Sequence, residues 1–386
     1  MAITEGARRH RVLCVAGARP NMMKVAPLMR AFARVPALAP LLIHTGQHYD
    51  AAMKDVFFEE LGLKEPDAFL GVGSGSHAAQ TGRLFLAIEP VLDEMKPDVV
   101  VVVGDVNSTM AAALVATKKR IPVVHVEAGL RSFDRDMPEE INRIVTDQVA
   151  DLLYVTEQDA VRNLEREGVA ADRVRLVGNV MIDSLRDALP RAKAPADTFA
   201  ARGASAAWCK RAARDGHAFL TLHRPSNVDD RETCRRLLTA INTAADLLPV
   251  VFAVHPRTRD AVRKHDLAGL LDHPFVLTTE PLSYFETVGI LAKARMVLTD
   301  SGGLQEETTG LGVPCITLRE NTERPVTVSD GTNVVVGTDQ AKILASVRDI
   351  LSTGGKRGKV PPLWDGKAAE RIAADLAGWL ESRALT

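Results

Sequence analysis

The stretch Val99-Val100-Val101-Val102-Val103-Gly104-Asp105-Val106-Asn107-Ser108-Thr109 decides the fold. A run of valines has no polar face, which is the pattern of a parallel strand covered on both sides. Gly104 lets the chain turn. Asp105 then stands at the strand's carboxyl end, where open α/β sheets place their ligands. The run Ile121 to Val126 repeats the pattern and delivers Glu127 to the same edge, within His125-Val126-Glu127-Ala128-Gly129-Leu130-Arg131. In Met137-Pro138-Glu139-Glu140-Ile141-Asn142-Arg143 the proline suits the first turn of a helix and sets Glu139 and Glu140 at its start. Asp105, Glu127 and Glu139 are therefore expected to converge on one crevice.

The same alternation extends outward from this stretch. Upstream, Val12 to Ala16 and Leu41 to His44 read as strands. A turn at Gly17 to Asn21 leads to a helix from near Met22, and His77 to Met95 reads as a long helix after the glycine-serine loop Gly71 to Ser76. Downstream, Leu152 to Val155 and Val174 to Val177 close a first strand-helix series. The alanine- and charge-rich segment Arg186 to Gly216 is the candidate linker. A second series follows, with strands at Ala218 to Leu222, Val250 to Val254, Phe275 to Leu277, Met296 to Thr299 and Pro314 to Leu318. Strand-helix alternation of this kind marks doubly wound parallel sheets. The expected division is a first domain of 1–186, with a helix over 367–386 returning to it, and a second domain of 187–366, the two facing across a cleft.

Composition narrows the function. A chain of 386 residues fits two domains of ordinary size. Its 46% hydrophobic and 25% charged residues are typical of globular proteins. The formal net charge of -1 exerts no general pull toward nucleic acid or membrane, so neither is expected as a partner and an anionic ligand must be held by local groups. Cys14, Cys209, Cys234 and Cys315 are too dispersed for a metal knuckle and read as thiols in a reducing compartment. No apolar run approaches membrane-spanning length, and the apolar run after Arg8, Arg9 and Arg11 is too short for a signal-peptide core. A cytoplasmic protein is expected. The histidines lack metal-ligand spacing, so no metal is expected.

In the second half, Asp300-Ser301-Gly302-Gly303-Leu304-Gln305-Glu306-Glu307 follows a strand and opens a helix. Glycines at a helix N-terminus let backbone N–H groups approach phosphate. An ordinary cap by Asp300 or Ser301 is the competing reading. Arg19, Lys24 and Arg324 lie in turns or helix starts after strands and suit a diphosphate. Glu307 lies on the same helical face as Gly303, placed either to accept from ribose hydroxyls or simply to be solvated. His223 ends a strand, where it can transfer a proton or bind phosphate. His125, just inside the strand leading to Glu127, reads either as a core residue or as one that supports the site from behind, and His255 stays open. The acids equally suit ion pairs with Arg131 or Arg143.

Taken together, these motifs resemble the non-hydrolysing UDP-N-acetylglucosamine 2-epimerases. The resemblance runs from Gly17-Ala18-Arg19-Pro20 to the final helix and rests on His125 to Arg131, Thr299 to Glu307 and Thr322-Glu323-Arg324-Pro325. It implies the GT-B fold, two Rossmann-like domains facing across a cleft. It also implies interconversion of UDP-N-acetylglucosamine and UDP-N-acetylmannosamine for surface polysaccharide, by elimination of UDP to 2-acetamidoglucal and re-addition, with no cofactor. By the same resemblance Asp105, Glu127 and Glu139 are catalytic carboxylates and His223 assists the leaving diphosphate. Arg19, Lys24, Ser301, Gly302, Gly303, Glu307 and Arg324 bind UDP, Arg143 is counted with the substrate-binding residues, and the protein is a homodimer. Departures include Asn21 after the first Arg-Pro, Pro225-Ser226 after His223-Arg224, and Tyr49-Asp50 in the loop linked to allosteric UDP-N-acetylglucosamine. Alternatives are a modified UDP-HexNAc as substrate, a hydrolysing epimerase, a glycosyltransferase of the same fold, and a non-catalytic sugar-nucleotide sensor.

Overall fold

In the computed structural model of the protein, residues 9–47, 58 and 60–384 are described, apart from the side chains of Arg19, Pro20 and Ala384. The chain forms two compact units, one of Met1–Ser184 with Pro362–Thr386, the other of Leu185–Pro361.

The first unit is built on a seven-stranded sheet of β1 (His10–Ala16), β2 (Leu38–His44), β3 (Ala68–Phe69), β4 (Val99–Val103), β5 (Val123–Ala128), β6 (Leu152–Val155) and β7 (Val174–Leu176). Their spatial order is β3-β2-β1-β4-β5-β6-β7, and every pairing is parallel. The five valines of β4 are fully buried. Val100 and Val102 join a core that also contains Leu84, Ile88 and Leu92 of the helix His77–Met95, while Val99, Val101 and Val103 point to the other face. The helix Ala368–Ala384 belongs to this unit and packs on the helix Arg19–Arg34.

The second unit repeats the plan with β8 (Ala218–Thr221), β9 (Val250–Ala253), β10 (Val276–Thr279), β11 (Met296–Thr299), β12 (Cys315–Thr317) and β13 (Asn333–Val335). Their order is β10-β9-β8-β11-β12-β13, again all parallel. Leu220, Phe252, Leu298 and Ile316 pack on one face with the helices Arg231–Ala245 and Gln340–Thr353. Phe219, Val251 and Val297 pack on the other with Ile290 and Leu304. Two parallel α/β units with apolar faces covered on both sides are the architecture read from the alternation.

Three local expectations change. The segment Arg186 to Gly216 is not a linker. It carries the helices Pro195–Ala201 and Ala206–Asp215, and its Phe199 and Trp208 are buried in the second core, where two large aromatics outweigh an alanine-rich composition. The helix expected from near Met22 begins at Arg19. Pro20 sits in its first turn, and the Ala18 N–H donates to Asn21 Oδ1 at 3.1 Å, which caps it. The short edge strands β3 and β13 were not foreseen.

In each sheet the winding reverses beside the first strand, between β1 and β4 and between β8 and β11. The carboxyl ends of these strands are where a doubly wound sheet offers a crevice to a ligand.

Candidate active site

In the first unit, Lys24, Asp105, Glu127 and Arg143 gather at the β1/β4 reversal. Glu127 has φ of +72°, a left-handed backbone that a non-glycine residue adopts at a cost, and the pairing of β5 with β6 slips between Val126 and Ala128. The bulge re-aims the side chain. Glu127 and Lys24 form a buried ion pair. Gly104, at φ +70°, lies beneath that pair; a Cβ there would stand 3.2 Å from Lys24 Nζ and 4.0 Å from Glu127 Oε1. The left-handed backbone thus favours glycine at the residue before Asp105, and a side chain there would press on the Lys24 ammonium.

Asp105 keeps its side chain partly open and pairs with the buried Arg143. Arg143 also donates to Glu140 Oε2, from Nε at 3.0 Å and from Nη2 at 2.8 Å. Glu140 accepts further from the Ser132 N–H at 3.0 Å and the Phe133 N–H at 2.8 Å. Burial works against its charge, but these N–H donors and Arg143 outweigh it and hold the carboxyl below its usual range. Asn142 Nδ2 donates to the Asp105 carbonyl at 2.9 Å and to Asn107 Oδ1 at 3.1 Å. The helix Pro138–Val149 is therefore bolted to the end of β4.

Glu139 lies half-buried in the first turn of the same helix, and its side chain makes no hydrogen bond or ion pair with any described residue. The pairing role falls to Glu140, its neighbour. Arg131 does not pair with the candidate acids. It forks onto Glu167, at 2.8 and 2.7 Å, and reaches Asp147 at 2.7 Å. The Arg19 side chain and residues His48 to Asp50 lie outside the described residues, whereas Gln47 is buried and accepts from the Ser108 N–H at 3.0 Å.

In the second unit, His223 and Asp300 meet at the β8/β11 reversal. His223 Nδ1 lies 2.7 Å from Asp300 Oδ1. The carboxylate also accepts from the backbone N–H groups of His223 and Arg224, each at 2.9 Å, and from Asn227 Nδ2 at 3.0 Å. Asp300 is fully buried. Burial alone would raise its carboxyl, but the His223 ring and the N–H donors outweigh this and take it down to about 2. A charged carboxylate on Nδ1 fixes the ring and leaves Nε2 for a ligand.

The next residues open the helix Gly302–Leu311. Asp300 is spent on β8, and the Ser301 side chain makes no cap bond, so the ordinary cap reading does not hold. The first-turn N–H groups and the positive end of the helix are left for an anion. Gly302 packs tightly; a Cβ there would stand 2.8 Å from Arg324 Nη1 and from Glu323 Oε1. Arg324 is buried between Glu306 and Glu323, each at 2.8 Å. Arg319, paired with Glu323 at 2.8 Å, keeps a buried Nη1 with no partner among the described residues. Buried arginines beside an uncapped helix start suit a bound anion, although Glu306 and Glu323 already share their charge. Glu307 is not solvated. It is buried on this helix and accepts from Tyr284 Oη at 3.0 Å. Gly303 stands beside Gly302 in the first turn, and His255 Nδ1 caps the helix Pro256–Lys264.

Sequence reasoning missed the roles of Glu140, Asp300, Arg319 and Asp147. The Asp300 role was within reach once His223 and Thr299-Asp300 were assigned to adjacent strand ends. Among the described residues there is no cluster of His, Cys, Asp and Glu suited to a metal ion, and no helix long and apolar enough to cross a membrane.

Fold and site together define an α/β protein with buried carboxylate–cation pairs at the strand ends of one parallel-sheet unit and an uncapped helix start at the strand ends of the other. Comparison with known proteins narrows the class. The family described as UDP-N-acetylglucosamine 2-epimerase matches residues 30–377. The UDP-N-acetylglucosamine 2-epimerase of Methanocaldococcus jannaschii is 41% identical over 361 residues, covering 93% of this chain and 96% of that protein. The UDP-2,3-diacetamido-2,3-dideoxy-D-glucuronate 2-epimerase of Pseudomonas aeruginosa is 39% identical over 371 residues, covering 95% of this chain and 99% of that protein. The crystal structure of the M. jannaschii enzyme in complex with UDP-GlcNAc and UDP superposes with a TM-score of 0.87 at 39% identity, covering 95% of this chain and 99% of the other. The chain belongs to the UDP-N-acetylglucosamine 2-epimerase family.

Proposed function

We propose that this protein interconverts UDP-N-acetylglucosamine and UDP-N-acetylmannosamine at C2. The proton at C2 has no neighbouring carbonyl, so direct removal gives an unstabilised carbanion. Elimination avoids this: a carboxylate takes the C2 proton, the C–H electrons form the C1–C2 double bond, and the C1–O bond breaks to release UDP. The second half returns a UDP oxygen to C1 while a carboxylic acid protonates C2 on the opposite face. Asp105, Glu127 and Glu139 carry the two proton transfers. Lys24 pairs with Glu127 and Arg143 with Asp105, so two of these acids are held in place by a buried cation. His223, fixed by Asp300, faces the departing diphosphate with Nε2. The first-turn N–H groups at Gly302 and Gly303, with Ser301, Arg324 and Arg19, bind UDP, and Glu307 accepts from the ribose.

The single observation that carries this reading is the pair of acids at the ends of β4 and β5, Glu127 on the buried Lys24 and Asp105 on the buried Arg143 that Glu140 shares. It is supported by family membership over nearly the whole chain. The test is proton NMR of UDP-N-acetylglucosamine with the enzyme in D2O and no acceptor. Deuterium at C2 and appearance of the manno epimer are expected. Accumulation of free N-acetylmannosamine would point to a hydrolysing enzyme, and transfer to an acceptor without exchange to a glycosyltransferase. The similarity to the P. aeruginosa enzyme favours one second substrate, a UDP-HexNAc bearing a 3-acetamido group and a C6 carboxylate, which belongs in the same assay. We further place the reaction in the cytoplasm, supplying surface polysaccharide, and assign a homodimer by analogy with the family. Sedimentation equilibrium tests the dimer.

A further inference from the structure

His125 is fully buried in β5 and bonds at both ring nitrogens. Nε2 lies 2.8 Å from the carbonyl oxygen of Gly104, which can only accept. Nδ1 lies 2.6 Å from Asp147 Oδ1, and Asp147 is itself fully buried. The other carboxylate oxygen of Asp147 takes the Gly129 N–H at 3.0 Å and Arg131 at 2.7 Å. A core position filled only for packing would hold an apolar residue, because burying a polar ring and a carboxylate together is costly unless every group is satisfied. Here every partner sits on a segment that carries one of the acids. Gly104 precedes Asp105, His125 is two residues before the strained Glu127, and Asp147 lies on the helix Pro138–Val149, which carries Glu139 in its first turn.

We propose that His125 is a positioning residue for the C2 chemistry, a strut that ties the end of β4 to the helix Pro138–Val149 through β5 and so fixes the acid-bearing segments against one another. The strut touches no substrate. It acts on Asp105 through the Gly104 carbonyl and on Glu127 through the strand it occupies. Its removal leaves UDP binding in place, since the proposed nucleotide donors other than Arg19 belong to the other unit and Arg19 makes no part of the strut. The inference rests on the proposed epimerisation.

The two nitrogens can be separated by substitution. In His125→Asn the amide nitrogen stands near the place of Nδ1, keeping Asp147 and losing Gly104. In His125→Gln it stands near the place of Nε2, keeping Gly104 and losing Asp147. The full-length enzyme and both variants are assayed for C2 deuterium exchange, with kcat and KM resolved, and for UDP binding by calorimetry. His125→Asn is expected to lower kcat about 10²-fold with KM and UDP affinity within about threefold, the size expected for an ångström-scale misplacement of a reacting group. His125→Gln is expected to recover about tenfold of that loss. Asp147→Asn, which keeps an acceptor for Nδ1 but removes the charge and turns an NH2 group toward the Gly129 N–H and Arg131, is expected to fall between His125→Asn and the parent, and it carries the comparison if His125→Asn does not fold. A kcat within about threefold of the parent in folded His125→Asn, equal losses in the Asn and Gln variants, or a loss confined to KM would each overturn the strut. Absence of exchange in the parent would instead refute the epimerase reading and take the strut with it.

Discussion

Replacing Asp300 with asparagine separates charge from shape at the centre of the second unit. The carboxylate is fully buried and accepts from His223 Nδ1, the His223 and Arg224 N–H groups and Asn227 Nδ2. Its carboxyl lies at about 2 in the folded protein against an ordinary 3.8. At 1.36 kcal/mol per unit that difference corresponds to folding free energy on the order of 2 kcal/mol at neutral pH. The sign follows from the depressed value. The contribution is fully present above about pH 4, and it is lost as the pH falls through about 2. Asparagine keeps one acceptor oxygen and turns an NH2 group toward donors, so the variant is expected to lose about 2–3 kcal/mol at pH 7 and progressively less toward pH 2. The protein has two units and need not unfold in one step. Urea unfolding is therefore best read by pulsed hydrogen exchange on peptides from 218–224 and 296–305. The same substitution frees His223 to hold its hydrogen on either nitrogen, so C2 exchange should fall about 10²-fold or more. A loss under about 0.5 kcal/mol together with exchange within about threefold of the parent would show that Asp300 neither anchors the strand ends nor sets the His223 tautomer.

Other perturbations probe other parts. Gly302→Ala places a methyl group against Arg324 Nη1 and Glu323 Oε1, both 2.8 Å away, and should weaken UDP binding about tenfold or more by calorimetry, with the rest of the fold intact. Glu140→Gln removes the charge that shares Arg143 with Asp105 and should lower C2 exchange kcat about tenfold or more, since Arg143 is then free to recentre on Asp105. Burial pushes the carboxyl of Asp183 up to about 6, while the N–H groups of Ala369 and Ala368, which it caps, resist this only in part. Because the folded state holds that proton more tightly than the unfolded chain, stability of the first unit should fall as pH rises from about 4 to about 6 and level off above, and Asp183→Asn should flatten the slope in urea unfolding.

The parts of this protein legible from sequence are those whose signal is local. The β4 valines and the apolar cores of β1, β8 and β11 announce strands buried on both faces, and a strand end with Asp105 or Glu127 after it needs no tertiary information to be placed at a sheet edge. Composition failed at Arg186 to Gly216, because alanines and charges conceal the two aromatics, Phe199 and Trp208, that dock the segment. The two-residue β3 and three-residue β13 carry too few side chains to form a pattern. The choice between Glu139 and Glu140 was beyond any periodicity argument. Arg143 is four residues from one and three from the other, so both fit a helix face. What decides is the loop before the helix, whose Ser132 and Phe133 N–H groups close on Glu140 and set the helical phase. Strand order accounts for the remaining misses. His223 and Asp300 are 77 residues apart and meet only because β8 and β11 are neighbours across a reversal of winding, while His125 finds Asp147 only because β5 lies under the helix Pro138–Val149. Local pattern says which residues stand at the edge of a sheet. Which of them touch depends on the order in which strands are laid down, and in this chain the histidine–aspartate contacts of both units are of that second kind.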